Sequence, residues 1–85
     1  MADVYFVYIL KCADTSLYTG ITSDIDRRVN EHNFGDKGAK YTKCRRPVML
    51  VFVESCESKS KALKRELAIK KLTRRQKEVL VNAKS

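Results

Sequence analysis

The chain has 85 residues, 44% of them apolar and 33% charged, and carries a formal net charge of +8. That length gives one domain, residues 1–85, with a small core and modest stability, and the apolar share excludes a disordered tail. No apolar run reaches membrane-spanning length, Met1-Ala2-Asp3 lacks the features of a secretion signal, and the separated Cys12, Cys44 and Cys56 exclude a zinc ribbon and fit reduced thiols in the cytoplasm.

Val4 to Leu10 is a short run of apolar, β-branched and aromatic side chains and reads as a buried strand. Cys12-Ala13-Asp14-Thr15-Ser16 holds turn formers, Leu17-Tyr18-Thr19 resumes the strand, and Gly20 is expected to end it. The two strands make a hairpin with a tyrosine on each. A three-residue loop, Ala13 to Thr15, sets Leu10 opposite Tyr18 and Tyr8 opposite Gly20. Tyr8 and Tyr18 then share a face as diagonal neighbours, roughly 7–8 Å apart at the backbone. A four-residue loop would send them to opposite faces. The pair is either ordinary packing or, with Gly20 clearing space, a polar floor for a ligand.

Ser23 with Asp26 forms a capping box that opens a helix running to about Asn33, where Asn33-Phe34-Gly35 offers a stop. Ile25 and Val29 face the core. Arg28 and His32, four apart, lie on an adjoining stripe. Arg28 is either a solvated charge beside Arg27 or a group aimed at the tyrosines. His32, the only histidine, is either a helix C-terminal residue favoured by the dipole or part of the same site.

Gly35 to Arg46 is basic, with Lys37, Lys40, Lys43, Arg45 and Arg46 around Tyr41, and Gly38 to Thr42 is expected to form a short helix. Basic residues around an aromatic suit phosphate contacts with a stacked base or sugar, although any one lysine fits an exposed loop equally well. Pro47 opens a strand, Val48 to Val53, whose six apolar residues indicate a central position or burial on both faces, and Glu54 is expected to end it. Lys61 to Leu72 has helical composition, with Ser58 or Ser60 as its cap. Ala62, Leu63, Ile69 and Leu72 share its apolar side, Leu67 lies at the edge, and Glu66 stands among them. A carboxylate there is either swung out to Lys70 or held for a purpose, since burying it unpaired is costly. Thr73-Arg74-Arg75-Gln76 is a capping box for a last helix, with fraying expected from Asn82.

Charge divides unevenly along the chain. Residues 1–36 hold three basic and six acidic side chains, a net of −3, and residues 37–85 hold fifteen and four, a net of +11. So polarised a distribution points to a polyanion, against the alternative of a solvated lysine-rich surface.

The order is strand, strand, helix, basic segment, strand, helix, helix, an α+β arrangement. Placed on it are Val7-Tyr8-Ile9, Tyr18-Thr19-Gly20, Arg28, His32 and Glu66. This constellation resembles the GIY-YIG endonuclease domain, in particular its small stand-alone bacterial members. The resemblance implies a three-stranded antiparallel sheet flanked by helices in β-β-α-α-β-α-α order. It also implies divalent-metal-dependent hydrolysis of phosphodiesters, with Mg2+ or Mn2+ as cofactor and nucleic acid, DNA ahead of RNA, as partner. By resemblance Glu66 holds the metal, Tyr8 and Tyr18 orient and deprotonate water, Arg28 stabilises the phosphate, and His32 completes the site. Nucleic-acid contacts are expected from Lys40, Tyr41, Lys43, Arg45, Arg46, Lys64 and Lys71, in a monomer that engages no membrane. Two departures stand out: no proline follows Glu66, and Ile21 replaces a lysine that some members carry near the tyrosines. The alternatives are a nucleic-acid-binding module that kept the fold without catalysis and, more remotely, a basic structural adaptor.

Overall fold

The computed structural model describes residues 4–35 and 40–84, so the parts assigned to Lys37, Gly38 and Ala39 lie outside the described residues. The elements are β1 (Tyr5–Lys11), β2 (Leu17–Thr22), α1 (Ile25–Phe34), α2 (Lys40–Lys43), β3 (Met49–Cys56), α3 (Lys59–Lys70) and α4 (Arg74–Lys84). The strands form one antiparallel sheet in the order β2-β1-β3.

β1 is the central strand, which corrects the reading of Val48 to Val53 as the central run. Val7, Tyr8, Ile9 and Leu10 are all buried, because β1 is hydrogen-bonded on both edges and covered on both faces. β3 is an edge strand, and Met49 and Val53 stay 65% and 40% exposed. Strand alternation sends Val7 and Ile9 to one face, where they pack with Phe52, with Ala62 and Ile69 of α3, and with Leu80 and Val81 of α4. Tyr8 and Leu10 go to the other, with Val48, Tyr18, and Ile25 and Val29 of α1. Each fully buried aliphatic side chain contributes roughly 1.5–3 kcal/mol, so these two small clusters carry much of the fold.

The hairpin has the expected register, with Tyr8 opposite Gly20 and Leu10 opposite Tyr18. The loop closes through Cys12 N–H to the Ser16 carbonyl at 2.8 Å and Thr15 N–H to the Cys12 carbonyl at 2.9 Å, and Thr15 takes the left-handed conformation at φ 70°. Gly20 does not end β2, which continues to Thr22. The glycine serves a close approach: a Cβ there would stand 2.6 Å from the Tyr8 hydroxyl oxygen and 2.8 Å from Cζ. β3 likewise runs past Glu54 to Cys56, since an edge strand tolerates a carboxylate, here paired with Arg65 at 2.8 Å.

The cap of α1 is Asp24 rather than Ser23, its carboxylate accepting from the Arg27 amide at 3.1 Å. Ser58 caps α3, which starts at Lys59 and ends at Lys70, leaving Leu72 in the connector. Thr73 and Gln76 make the reciprocal capping box, at 2.9 and 3.2 Å, and α4 stays helical through Lys84 instead of fraying at Asn82.

Gly20→Ala is expected to destabilise the chain by about 1–3 kcal/mol, the usual range for overpacking a filled site. Urea unfolding should show a lower midpoint at unchanged slope. An unchanged midpoint would mean that the Tyr8 ring yields freely.

Candidate active site

Five side chains from four elements, β1, β2, α1 and α2, converge at and around the Tyr8 phenol. β1 supplies Tyr8, which lies over Gly20 of β2 because no side chain stands between them. The neighbouring Tyr18 shares that face, the two ring centroids being 6.5 Å apart. One turn of α1 supplies Arg28 and His32. The His32 imidazole is fully buried, with Nε2 2.9 Å from the Tyr8 hydroxyl and Nδ1 2.8 Å from Thr42 Oγ1 of α2. Tyr18 meets the same imidazole edge-on, with centroids 5.2 Å apart. Arg28 is hydrogen-bonded to the Tyr8 phenol and to Glu31, the latter at 3.0 Å.

Glu66 approaches from α3, which packs on the opposite side of the sheet. Its side chain is only 15% exposed and lies 3.7 Å from the Lys70 ammonium. The ion pair with Lys70 is the one the sequence offered, and the negative charge of Glu66 also reaches Tyr8.

The electrostatics follow from burial. Desolvation raises the Tyr8 pKa above 10.0; Arg28 opposes the rise, and Tyr18 and Glu66 add to it. His32 is pushed down to about 4, first by burial and then by the Arg28 charge, with Glu31 opposing and Arg46 assisting. The imidazole is therefore neutral at physiological pH. Burial alone would lower the pKa of Arg28, but its hydrogen bonds to Tyr8 and Glu31 outweigh that and raise it.

The residues expected to touch nucleic acid divide into two groups. Lys40, Lys43, Lys64 and Lys71 are exposed. Tyr41, Arg45 and Arg46 instead make internal contacts. One face of the Tyr41 ring stacks on Tyr18, with centroids 5.9 Å apart, and the Arg45 guanidinium covers the other at 4.0 Å. A base reaches a face of Tyr41 only by displacing Arg45. Arg45 also pairs with Asp14 of the hairpin loop at 2.9 Å. Arg46 donates to the carbonyls of Glu31, His32 and Gly35, closing the end of α1.

Three contributing residues have no local signature. Thr42 reads as one polar residue in a basic segment, yet it is fully buried against His32. Asp14 reads as a turn former, yet it anchors Arg45. Asn33 holds α1 to the start of β3 through both polar atoms of its amide, at 2.7 and 3.1 Å from the Val48 backbone. Only folding brings these partners together.

Residues 4–79 match the family model described as the GIY-YIG catalytic domain. A UPF0213 protein of Desulfotalea psychrophila is 58% identical over 79 residues, covering 93% of this chain and 72% of that one. A UPF0213 protein of Staphylococcus aureus is 60% identical over 75 residues, covering 88% and 90%. Among solved structures, the solution structure of a UPF0213 protein from Bacillus halodurans has a TM-score of 0.62 at 48% identity, over 95% of this chain and 85% of that one.

Because the native pKa of His32 lies below the unfolded value of 6.5, the unfolded chain binds more protons between pH 6.5 and about 4. The stability contributed by the neutral imidazole is complete above that window and is lost as pH falls through it. An NMR titration of the His32 ring should show no charge change from pH 6 to 8 and a midpoint near the lower value. A midpoint at the ordinary histidine value would contradict the buried, neutral ring.

Proposed function

We propose that this chain, which belongs to the GIY-YIG family, is a divalent-metal-dependent endonuclease that hydrolyses phosphodiester bonds in nucleic acid. The observation that carries the reading is the convergence of Tyr8, Tyr18 and Arg28 on one face of the sheet, with the Glu66 charge felt at Tyr8 from the other side.

In the reaction water adds to phosphorus, one ester bond breaks, and the departing oxygen takes up a proton. Arg28 presents a planar fork suited to phosphate oxygens. Its bonds to Tyr8 and Glu31 hold it in place beforehand, so little reorganisation accompanies the charge that develops at phosphorus. Tyr8 enters as a phenol, since its pKa is raised, and its first task is orientation. It takes part in proton transfer only as far as Arg28 and developing charge bring its pKa down. Tyr18, half-buried on the same face, offers a second hydroxyl to the water.

Among the described residues no group of three His, Cys, Asp or Glu side chains could hold a metal, so a cage of several protein ligands does not fit. A hard cation that keeps most of its waters does fit, because one carboxylate suffices for it, and Glu66 is the residue we assign to Mg2+ or Mn2+. When bound, such an ion supplies positive charge at the phosphate and eases the ionisation of water. The Lys70 ammonium lies 3.7 Å from the same carboxylate. We place the protein in a reducing compartment, the cytoplasm, since Cys12, Cys44 and Cys56 are free thiols. Among the described residues no helix is long and apolar enough to cross a membrane.

The second reading is a nucleic-acid-binding module without catalysis. The pairing of Glu66 with Lys70 and the firmly protonated Tyr8 favour it, because both describe a resting state that can hold a polyanion without cleaving it.

Arg28→Ala is expected to keep near-parental affinity for labelled DNA and to lose about 10²–10³ in cleavage rate, the scale for removing one transition-state donor. Arg27, 63% exposed and 3.9 Å from Glu31, is the internal control, and Arg27→Ala should do little. Equal cleavage by the two folded variants would refute the Arg28 role.

If Lys40, Lys43, Lys64 and Lys71 are the phosphate contacts, binding measured in a chelator should fall with salt at a log–log slope of about −4 on duplex DNA. A flat dependence would remove nucleic acid as the main partner.

A further inference from the structure

α2 reaches both tyrosines through consecutive residues, Tyr18 directly and Tyr8 through His32. Tyr41 stacks on Tyr18, and Thr42 bonds to the imidazole that bonds to Tyr8. The segment is fastened from outside by Arg45, whose guanidinium lies over Tyr41 and pairs with Asp14, and whose carbonyl accepts from Ala13 N–H at 2.9 Å. The hairpin loop, α2 and both tyrosines thus form one connected unit.

The proton positions inside that unit can be worked out. A neutral imidazole carries one N–H, on either Nδ1 or Nε2. Suppose it sat on Nε2 and pointed at Tyr8. The Tyr8 oxygen would then accept from both His32 and Arg28, and its own hydrogen would need another acceptor. Arg28 has no acceptor to offer, Glu66 reaches Tyr8 through its charge and not through a hydrogen bond, and at 1% exposure the phenol meets no bulk water before a substrate brings its own. A buried hydroxyl hydrogen without a partner is costly. With the proton on Nδ1, every group is served: Arg28 donates to the Tyr8 oxygen, Tyr8 O–H donates to Nε2, and Nδ1–H donates to Thr42 Oγ1.

We propose that Thr42 is a positioning residue for Tyr8: its hydroxyl oxygen holds His32 in the Nδ1–H form, and the free Nε2 then fixes the rotation of the Tyr8 O–H. The Tyr8 lone pairs are thereby turned toward Arg28, the side from which a phosphate or its attacking water would approach. The kinetic half of this assignment rests on the nuclease reading, and the tautomer half does not.

The test uses the full chain labelled with 15N, as parent, Thr42→Val and Thr42→Ser. Valine keeps nearly the same shape and loses the oxygen, whereas serine keeps it. At pH 7 the parent and Thr42→Ser should show a protonated Nδ1 and an unprotonated Nε2 in His32, and Thr42→Val should shift toward the Nε2–H form or a mixture. In cleavage assays with Mg2+, Thr42→Val should lose roughly tenfold to a hundredfold in kcat at nearly constant KM, the scale for removing an orienting outer partner, and Thr42→Ser should recover most of it. A parent with its proton on Nε2 would overturn the proposal, as would an unchanged 15N pattern in Thr42→Val. Should Thr42→Val fail to fold, the parent pattern and the Thr42→Ser rate still decide: a Thr42→Ser that retains the hydroxyl, folds and yet cleaves as poorly as a Tyr8→Phe variant would also overturn it. A parent with the expected pattern that never cleaves would overturn the nuclease reading and leave the tautomer assignment standing.

Discussion

The buried hydrogen-bond chain Tyr8–His32–Thr42 is the interaction on which the rest of the site depends. It ties the central strand to α1 and α2 through one imidazole with no exposed surface. Burial excludes the water that would otherwise solvate these polar groups, so each must be answered by protein, and the low dielectric strengthens each bond. Two consequences follow. The imidazole stays neutral, held well below its ordinary pKa. The phenol stays protonated, with Arg28 bonded to the same oxygen.

Sheet geometry explains how charges from opposite layers reach one phenol. Arg28 and His32 stand on the α1 side, whereas Glu66 belongs to a helix packed on the other. Gly20 makes room for that phenol, which occupies the space a side chain would take in the edge strand β2. The glycine that resembles a strand terminator is thus the opening through which the site is built. The peripheral charges have a structural share as well: Arg45 and Arg46 fasten α2 and the end of α1, whereas Lys40, Lys43, Lys64 and Lys71 stand exposed.

Much of this was legible from side-chain order. The hairpin register followed from alternation and a three-residue loop, and it placed the two tyrosines on one face correctly. Ile25, Val29, Ala62 and Ile69 faced the core as their spacing required. Local rules failed where tertiary contacts overrode them. Val48 to Val53 is uniformly apolar but lies at an edge, because position in a sheet depends on which strands flank it. Gly20 and Glu54 read as stops when considered alone, whereas one accommodates Tyr8 and the other pairs with Arg65. Thr42 was invisible for the same reason: its partner His32 lies ten residues away, and nothing in a basic segment distinguishes a buried threonine from a solvated one.

The proposed reaction is phosphodiester hydrolysis at this site with the help of a single hard cation held by Glu66. Its most direct measurement is incubation of the purified chain with end-labelled DNA and RNA, single- and double-stranded, in Mg2+, Mn2+ or a chelator. Cleavage of at least one substrate is expected with either cation, none in the chelator, and none by a folded Glu66→Gln variant. Tight binding without cleavage under every condition, or cleavage indifferent to the chelator, would contradict it.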